Sequence, residues 1–201
     1  MEVVDDNALL IFIKNPEKGK VKTRLAQTVG EDKALKIYKA LLSHTRNIAE
    51  ALPVHRYLFY SQYINEADEW STTHFEKRLQ IEADLGSKMA VAFQQVLAKH
   101  SKAIIIGSDC ASLTPEIVYS AFDKLNKFPY VIGPAEDGGY YLLGMREFTP
   151  TLFRDIAWST ESVLPTTLQK IKNLNKDYFL LPILSDIDYE SDWEKHGWDL
   201  D

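Results

Sequence analysis

Four charged stretches in this sequence each follow an apolar run, and each carries residue types that could do chemistry. The first, "KNPEKGKVKTRLA" from Lys14, holds Lys14, Lys18, Lys20, Lys22 and Arg24 in a chain that is acidic overall. Lysine offers a point charge and arginine a planar fork, the two means by which side chains hold phosphate oxygens. Gly19 lets the backbone bend and Pro16 keeps the segment out of helix, so the loop suits a di- or triphosphate; the alternative is a solvated basic loop. It is not a Walker A loop, because "GKVKT" lacks the upstream glycine spacing.

The second stretch, "IIIGSDCASL", delivers Asp109 directly after a buried run. A carboxylate held there can present oxygen to a hard cation such as Mg²⁺ or Mn²⁺. Otherwise Ser108 or Asp109 serves as a turn residue ahead of a helix. Cys110 reads as a small buried neighbour and not as a nucleophile, since no histidine lies near it in sequence. The third, "GPAEDGGYYLLG", sets Glu136 and Asp137 against Gly138 and Gly139. The acids could grip sugar hydroxyls, act as a base or hold metal, or they could decorate a hairpin turn, for which "DGG" is good chemistry. In the fourth, "LSDIDYESDW", Asp186 and Asp188 alternate, so an extended chain points both to one side. They either complete a site with Asp109 or form a solvated acidic tail.

These stretches need a scaffold, and bulk properties say which kind. The chain has 201 residues, 45% hydrophobic and 26% charged, enough for a proper core in one domain over residues 1–201. A net charge of -6 argues against a nucleic-acid binder. The single cysteine excludes an internal disulfide and suits a reducing compartment. "MEVVDDN" at the start lacks the basic region of a signal peptide, and no apolar run approaches the ~18 residues of a membrane helix. A cytoplasmic protein without a membrane span is expected.

Along the chain, "ALLIFI", "RYLFY", "AIIIG", "YVIG", "YYLLG" and "YFLLPI" are strand candidates, apolar enough to be buried on both faces of a parallel sheet. Amphipathic helices are expected over 31–52 and 87–99, after the Thr114–Pro115 start signal, and from Ser159 or Thr160. Pro165 would then lie in the first turns of that last helix or kink it. A short helix should open near Ser191. Alternation of strand and helix implies an α/β/α sandwich with a mostly parallel sheet. "YVIG" and "YYLLG" are too close for a crossover, so they are expected to form a hairpin and make the sheet mixed. Ligands of such sheets bind beyond the carboxyl ends of the strands, where the four stretches fall.

The ordered set "IFIKNPEKGKVKTRLA", "DLGSKM", "GSDCASL", "GPAEDGGYYLLG", "WSTESVL" and "DIDYESDW" resembles, across almost the whole chain, a bacterial family related to GT-A glycosyltransferases. Its members are commonly described as glycosyltransferases, in places linked to arsenosugar biosynthesis. More distantly it is similar to the nucleotidyltransferases that make guanylylated phospholactate or molybdopterin cofactors. The family usually has Pro after the cysteine, where this chain has Ala111.

The resemblance implies a nucleotide-diphospho-sugar transferase fold with Asp109 and Asp188 on the metal, Mg²⁺ or Mn²⁺. It implies phosphate contacts from Lys14, Lys22 and Arg24, with Gly86 of "DLGSKM" and Ser108 on the nucleotide side. Helix-start amides at "DLGSKM" would meet phosphate or base. Gly138, Gly139 and Tyr140 would line the sugar or acceptor pocket, the glycines making room for a ring. Asp137 or Glu136 would activate the acceptor. The favoured expectation is a metal-dependent glycosyltransferase acting on a nucleotide sugar and a small-molecule acceptor. The alternatives are a nucleotidyltransferase that releases pyrophosphate and a non-catalytic nucleotide-binding module.

Overall fold

The computed structural model describes residues 6–200, so the acidic start over residues 1–5 lies outside it. β1 (Asn7–Ile13), β2 (His55–Tyr60), β3 (Glu76–Leu79), β4 (Lys102–Ile106), β5 (Tyr130–Pro134), β6 (Tyr140–Met145) and β7 (Tyr178–Leu180) form one sheet. Their order is β3-β2-β1-β4-β6-β5-β7. All neighbours are parallel except β6, which runs antiparallel to both β4 and β5. The hairpin expected between "YVIG" and "YYLLG" is thus present, with an irregularity at Gly133 and Pro134.

Alternate residues of each strand enter different cores. Leu9, Ile11 and Ile13 of β1 pack with Tyr38 and Leu42 of α2 (Glu31–Glu50) and Val118 of α4 (Pro115–Lys124). Ala8 and Leu10 pack on the opposite face with Met89 and Phe93 of α3 (Leu85–Leu97) and Ile171 of α5 (Val163–Asn173). Helices therefore cover both faces, which is why the strands read as unbroken apolar runs. A third, smaller core joins Leu25 of α1 (Thr23–Val29) to Ile37, Leu41, Ala111 and Ile187, with Trp193 of α6 (Glu190–His196) against it. No helix of the described residues is long and apolar enough to cross a membrane.

Three local expectations need correction. β3, "EKRL", was not foreseen, because a four-residue edge strand with charged side chains has no apolar signature. α5 starts at Val163 and not at Ser159 or Thr160, since Ser159 sits at φ 64, outside helical space. Pro165 falls in its first turn, where no kink results. The end of the basic segment, expected to be loop, is helical from Thr23 as α1. The start at Thr114 is as expected: its side chain accepts from the Ile117 amide, with Pro115 at the first helical position.

Candidate functional site

β1 and β4 lie side by side and parallel, with β2 on the far side of β1 and β6 on the far side of β4. Beyond their ends opens a cavity of about 640 Å³. The basic loop, the Asp109 turn, the β5–β6 turn, the start of α3, the segment from Trp158 to Val163 and the irregular segment carrying Asp186 and Asp188 all line it. An open crevice at such a point is the usual ligand position of an α/β sheet.

The five cations of the basic loop go to different partners. Lys22 stands in the left-handed region at φ 49 immediately before α1, which turns its side chain inward. Its ammonium is 5% exposed, 2.9 Å from Asp109 Oδ1 and 3.8 Å from Asp188 Oδ1. It also donates to the Ile187 carbonyl at 2.6 Å. Arg24 Nη1 donates to Asp188 Oδ2 at 2.9 Å. Lys18 pairs with Asp32 and Lys20 with Glu17. Lys14 lines the cavity and is the one cation of the five with no ion pair among the described residues. Its backbone is fixed by Tyr38, whose hydroxyl accepts from the Lys14 amide at 2.9 Å and donates to its carbonyl at 3.0 Å. Lys88 of α3, a residue to which the sequence reading gave no role, adds a second cavity cation with no ion pair.

Asp109, Asp137, Asp186 and Asp188 line the same cavity. Burial pushes the Asp186 carboxyl up to about 7, and the negative charges of Asp109, Asp137 and Asp188 add to the rise while Lys22 opposes it. Its carboxylate has no hydrogen bond or ion pair among the described residues. The alternating spacing of "SDID" had brought Asp186 into view but gave no reason to rank it with Asp188. Cys110 is buried, and its thiol is pushed up to about 12 by that burial, in keeping with an inert neighbour.

Ser108 lines the cavity, buried, with its hydroxyl 3.4 Å from that of Tyr38. Other expected site residues have other work. Glu136 is exposed and does not line the cavity; its amide donates to the Leu184 carbonyl. Gly86 also lies off the cavity surface. A Cβ on it would stand 2.4 Å from Trp158 Nε1, so its task is to let an indole approach the helix. The α3 amides expected to meet phosphate are answered within the chain. Asp84 Oδ1 accepts from the Ser87 amide at 3.1 Å, and Asp84 Oδ2 accepts from its hydroxyl.

Of the paired glycines, Gly139 lines the cavity and Gly138 does not. Gly138 has φ 87, and a Cβ there would fall 2.5 Å from the Glu161 backbone. Gly139 donates its amide to Asp137 Oδ1 at 2.9 Å, closing a turn on the aspartate. Tyr140 does line the cavity, yet its hydroxyl is buried beside Thr167. Its ring meets Trp158 edge-on at 6.5 Å between centroids.

Comparison with known proteins places this geometry. The chain is similar to the crystal structure of a candidate nucleotide-diphospho-sugar transferase from Desulfovibrio desulfuricans G20, with 31% identity and a TM-score of 0.85 over 92% of this chain and 83% of that one. It is similar in fold to an inositol-1-phosphate CTP transferase of T. maritima, at 14% identity and TM-score 0.62 over 96% and 93% of the two chains. A Mycobacterium tuberculosis H37Rv protein solved with manganese aligns at 13% identity and TM-score 0.56 over 96% and 98%. No curated protein matches the chain in sequence. The fold is that of the nucleotide-diphospho-sugar transferases. The model of a family of uncharacterized proteins conserved in bacteria, DUF2064, matches residues 44–160, and the chain belongs to that family.

Proposed function

We propose that the protein is a cytoplasmic, metal-dependent glycosyltransferase that moves a sugar from a nucleotide-diphospho-sugar to a small-molecule acceptor. The observation that carries this reading is the division of charge in the cavity. Lys14 and Lys88 are unpaired there, while Lys22 and Arg24 are held by carboxylates. Two uncommitted ammonium groups match a diphosphate better than a triphosphate.

Asp109 and Asp188 are hard oxygen donors that share the buried Lys22 ammonium, and Asp186 lines the same cavity. Among the described residues no three acidic, histidine or cysteine side chains form a ready-made metal site, so a divalent cation would have to displace that ammonium. Asp109 and Asp188 would hold the ion, with Asp186 beside them. Bound Mg²⁺ or Mn²⁺ supplies positive charge to the diphosphate as the leaving bond breaks.

The chain's own groups do the rest. Lys14 and Lys88 bind diphosphate oxygens and stabilise the charge that develops on them. Asp137, fixed by the Gly139 amide, takes the proton of the acceptor hydroxyl. The acceptor oxygen then bonds to the sugar's anomeric carbon, the bond from that carbon to the diphosphate breaks, and nucleoside diphosphate leaves with the bonding pair.

A nucleotidyltransferase is the second reading, and one observation favours it. If Lys22 and Arg24 left their carboxylates, they would join Lys14 and Lys88 as four unpaired cations on the cavity, with Lys20 beside Glu17 a fifth cation, a set suited to a triphosphate. A panel of nucleotide sugars, and separately of nucleoside triphosphates with sugar phosphates or phospho-acids, separates the two. With Mg²⁺ or Mn²⁺ we expect slow release of nucleoside diphosphate from a nucleotide sugar, lost in Asp109→Ala and reduced in Asp137→Ala. Pyrophosphate release that depends on a phosphorylated acceptor would promote the second reading.

A further inference from the structure

Trp158 has a task that core packing does not explain. It is partly exposed and lines the cavity. Two glycine-dependent contacts hold it there. Gly86 admits the indole against the first turn of α3, where any Cβ would clash with it and with the Phe153 carbonyl. Gly138 admits the Glu161 backbone, and the Leu164 amide donates to the Gly138 carbonyl at 2.9 Å, so the Trp158 loop is locked to the Asp137 turn. Tyr140 braces the ring edge-on. Thr160 ties the loop to itself, donating to the Ala157 carbonyl at 2.7 Å. An aromatic held on several sides, packed on the core and partly exposed to a cavity, is a preorganised surface for a flat partner.

Its place along the cavity identifies that partner. Gly86, against the indole, lies two residues before Lys88, and the Asp137 turn is interlocked with the loop on the other side. Trp158 therefore stands between diphosphate-binding charge and the acid turn. That is the order in which a nucleotide sugar presents phosphate and then sugar. A pyranose has an apolar face of C–H groups that packs on an indole, and hydroxyls at its rim that a carboxylate can accept. The acid side carries Asp137, whose carboxylate has no ion pair among the described residues, so a carboxylated sugar would meet like charge there.

Resting on the nucleotide-sugar reading above, we infer that Trp158 is the platform on which the donor's sugar stacks and that the site takes a neutral hexose in preference to an anionic one. Isothermal titration in Mg²⁺ tests this with UDP, UDP-glucose and UDP-glucuronate, and with GDP and GDP-mannose in case the base is a purine. Trp158→Ala should weaken the sugar nucleotide about tenfold and the matching nucleoside diphosphate less than about twofold, with Trp158→Phe recovering most of the loss. Wild-type protein, which needs no substitution to fold, should bind UDP-glucuronate about tenfold more weakly than UDP-glucose, and Asp137→Asn should narrow that gap. Equal losses for UDP and UDP-glucose would put the base on Trp158 and overturn the inference, leaving the nucleotide site intact. Equal affinity for the two UDP-sugars in wild-type protein would overturn the choice of a neutral hexose. No binding by any of the five probes would overturn the inference together with the reading beneath it.

Discussion

The basic loop after β1 and the acidic turn between β5 and β6 both bring charge to one cavity, and they hold it in opposite ways. In the basic loop the side chains do the holding. Lys22 and Arg24 grip carboxylates from two other segments, and Lys18 and Lys20 pair at the surface. In the acidic turn the backbone does the holding. Gly138 locks into the Glu161 backbone and Gly139 closes on Asp137, so the aspartate faces the cavity with its second oxygen uncommitted. A charge anchored through its own side chain is partly used up. One anchored through its backbone stays available. The richness of a charged loop is therefore a poor count of what a ligand will meet.

The largest effect should come from removing the central grip. Lys22→Met leaves Asp109, Asp186 and Asp188 without their shared counter-charge. Denaturant unfolding of chelator-treated protein should show a loss of about 2 kcal/mol, less than for a wholly buried pair because Asp109 is about half exposed. Added Mn²⁺ should restore more of the stability than it adds to wild-type protein. A variant as stable as wild type would mean that the loop is not held through this side chain, and the contrast between the two regions would collapse.

Next comes the acidic turn. Gly138→Ala must adopt φ 87 and push a methyl into the Glu161 backbone, so a loss of about 1–3 kcal/mol is expected. Gly139→Ala has only the flexible Asp137 carboxylate to displace, at 3.1 Å, and should cost well under that. Similar costs at the two positions would show that the loop interlock does not anchor the turn.

Asp186 sharpens the contrast through pH. The unfolded chain loses this proton near 3.8 and the folded chain near 7, so between those values the folded state binds more protons and its stability falls as pH rises. Asp186→Asn should remove that slope in chelator-treated protein, making it more stable than wild type at pH 8 and no more stable at pH 4. Thermal melts across that range measure it. An unchanged slope would assign it to other groups.

What could be read in advance follows the same division between local rule and tertiary use. The strands "ALLIFI", "RYLFY", "AIIIG", "YVIG" and "YYLLG", the Thr114 cap and the "YVIG"–"YYLLG" hairpin rest on periodicity and spacing and are present. Of "YFLLPI", by contrast, only Tyr178–Leu180 is a strand, at the sheet edge with Leu180 exposed. The β3 edge was illegible because charged "EKRL" has no apolar pattern: beyond its backbone pairing it meets β2 through Lys77 and Arg78 lying over the Tyr60 and Tyr57 rings. At the site, the sequence brought Asp109, Asp137 and Asp188 to one sheet edge through strand ends. It could not tell that Gly86 and Gly138 serve packing, since a ligand and an indole ask the same thing of a glycine. It also could not separate Lys14 from Lys18, because the partners that distinguish them come from elsewhere in the chain.

The smallest effect belongs to the cations that the structure spends at the surface. Lys18 pairs with Asp32 where both side chains are mostly exposed, and Lys20 pairs with Glu17 three residues before it. Hydrogen bonding to those carboxylates raises both lysine pKa values, Asp32 acting on Lys18 and Glu17 on Lys20, so each ammonium already has its anion. Exposed pairs of this kind contribute little and are screened by salt. Lys18→Ala and Lys20→Ala should therefore change nucleoside diphosphate affinity by less than about twofold, whereas Lys14→Ala should weaken it about fivefold or more at low salt. Titrations at 50 and 300 mM NaCl would separate the two groups, since only the Lys14 contribution should shrink as salt is added. Equal losses at all three positions would show that the loop acts as a diffuse positive field, and allocation of charge by partner would not be what sets binding.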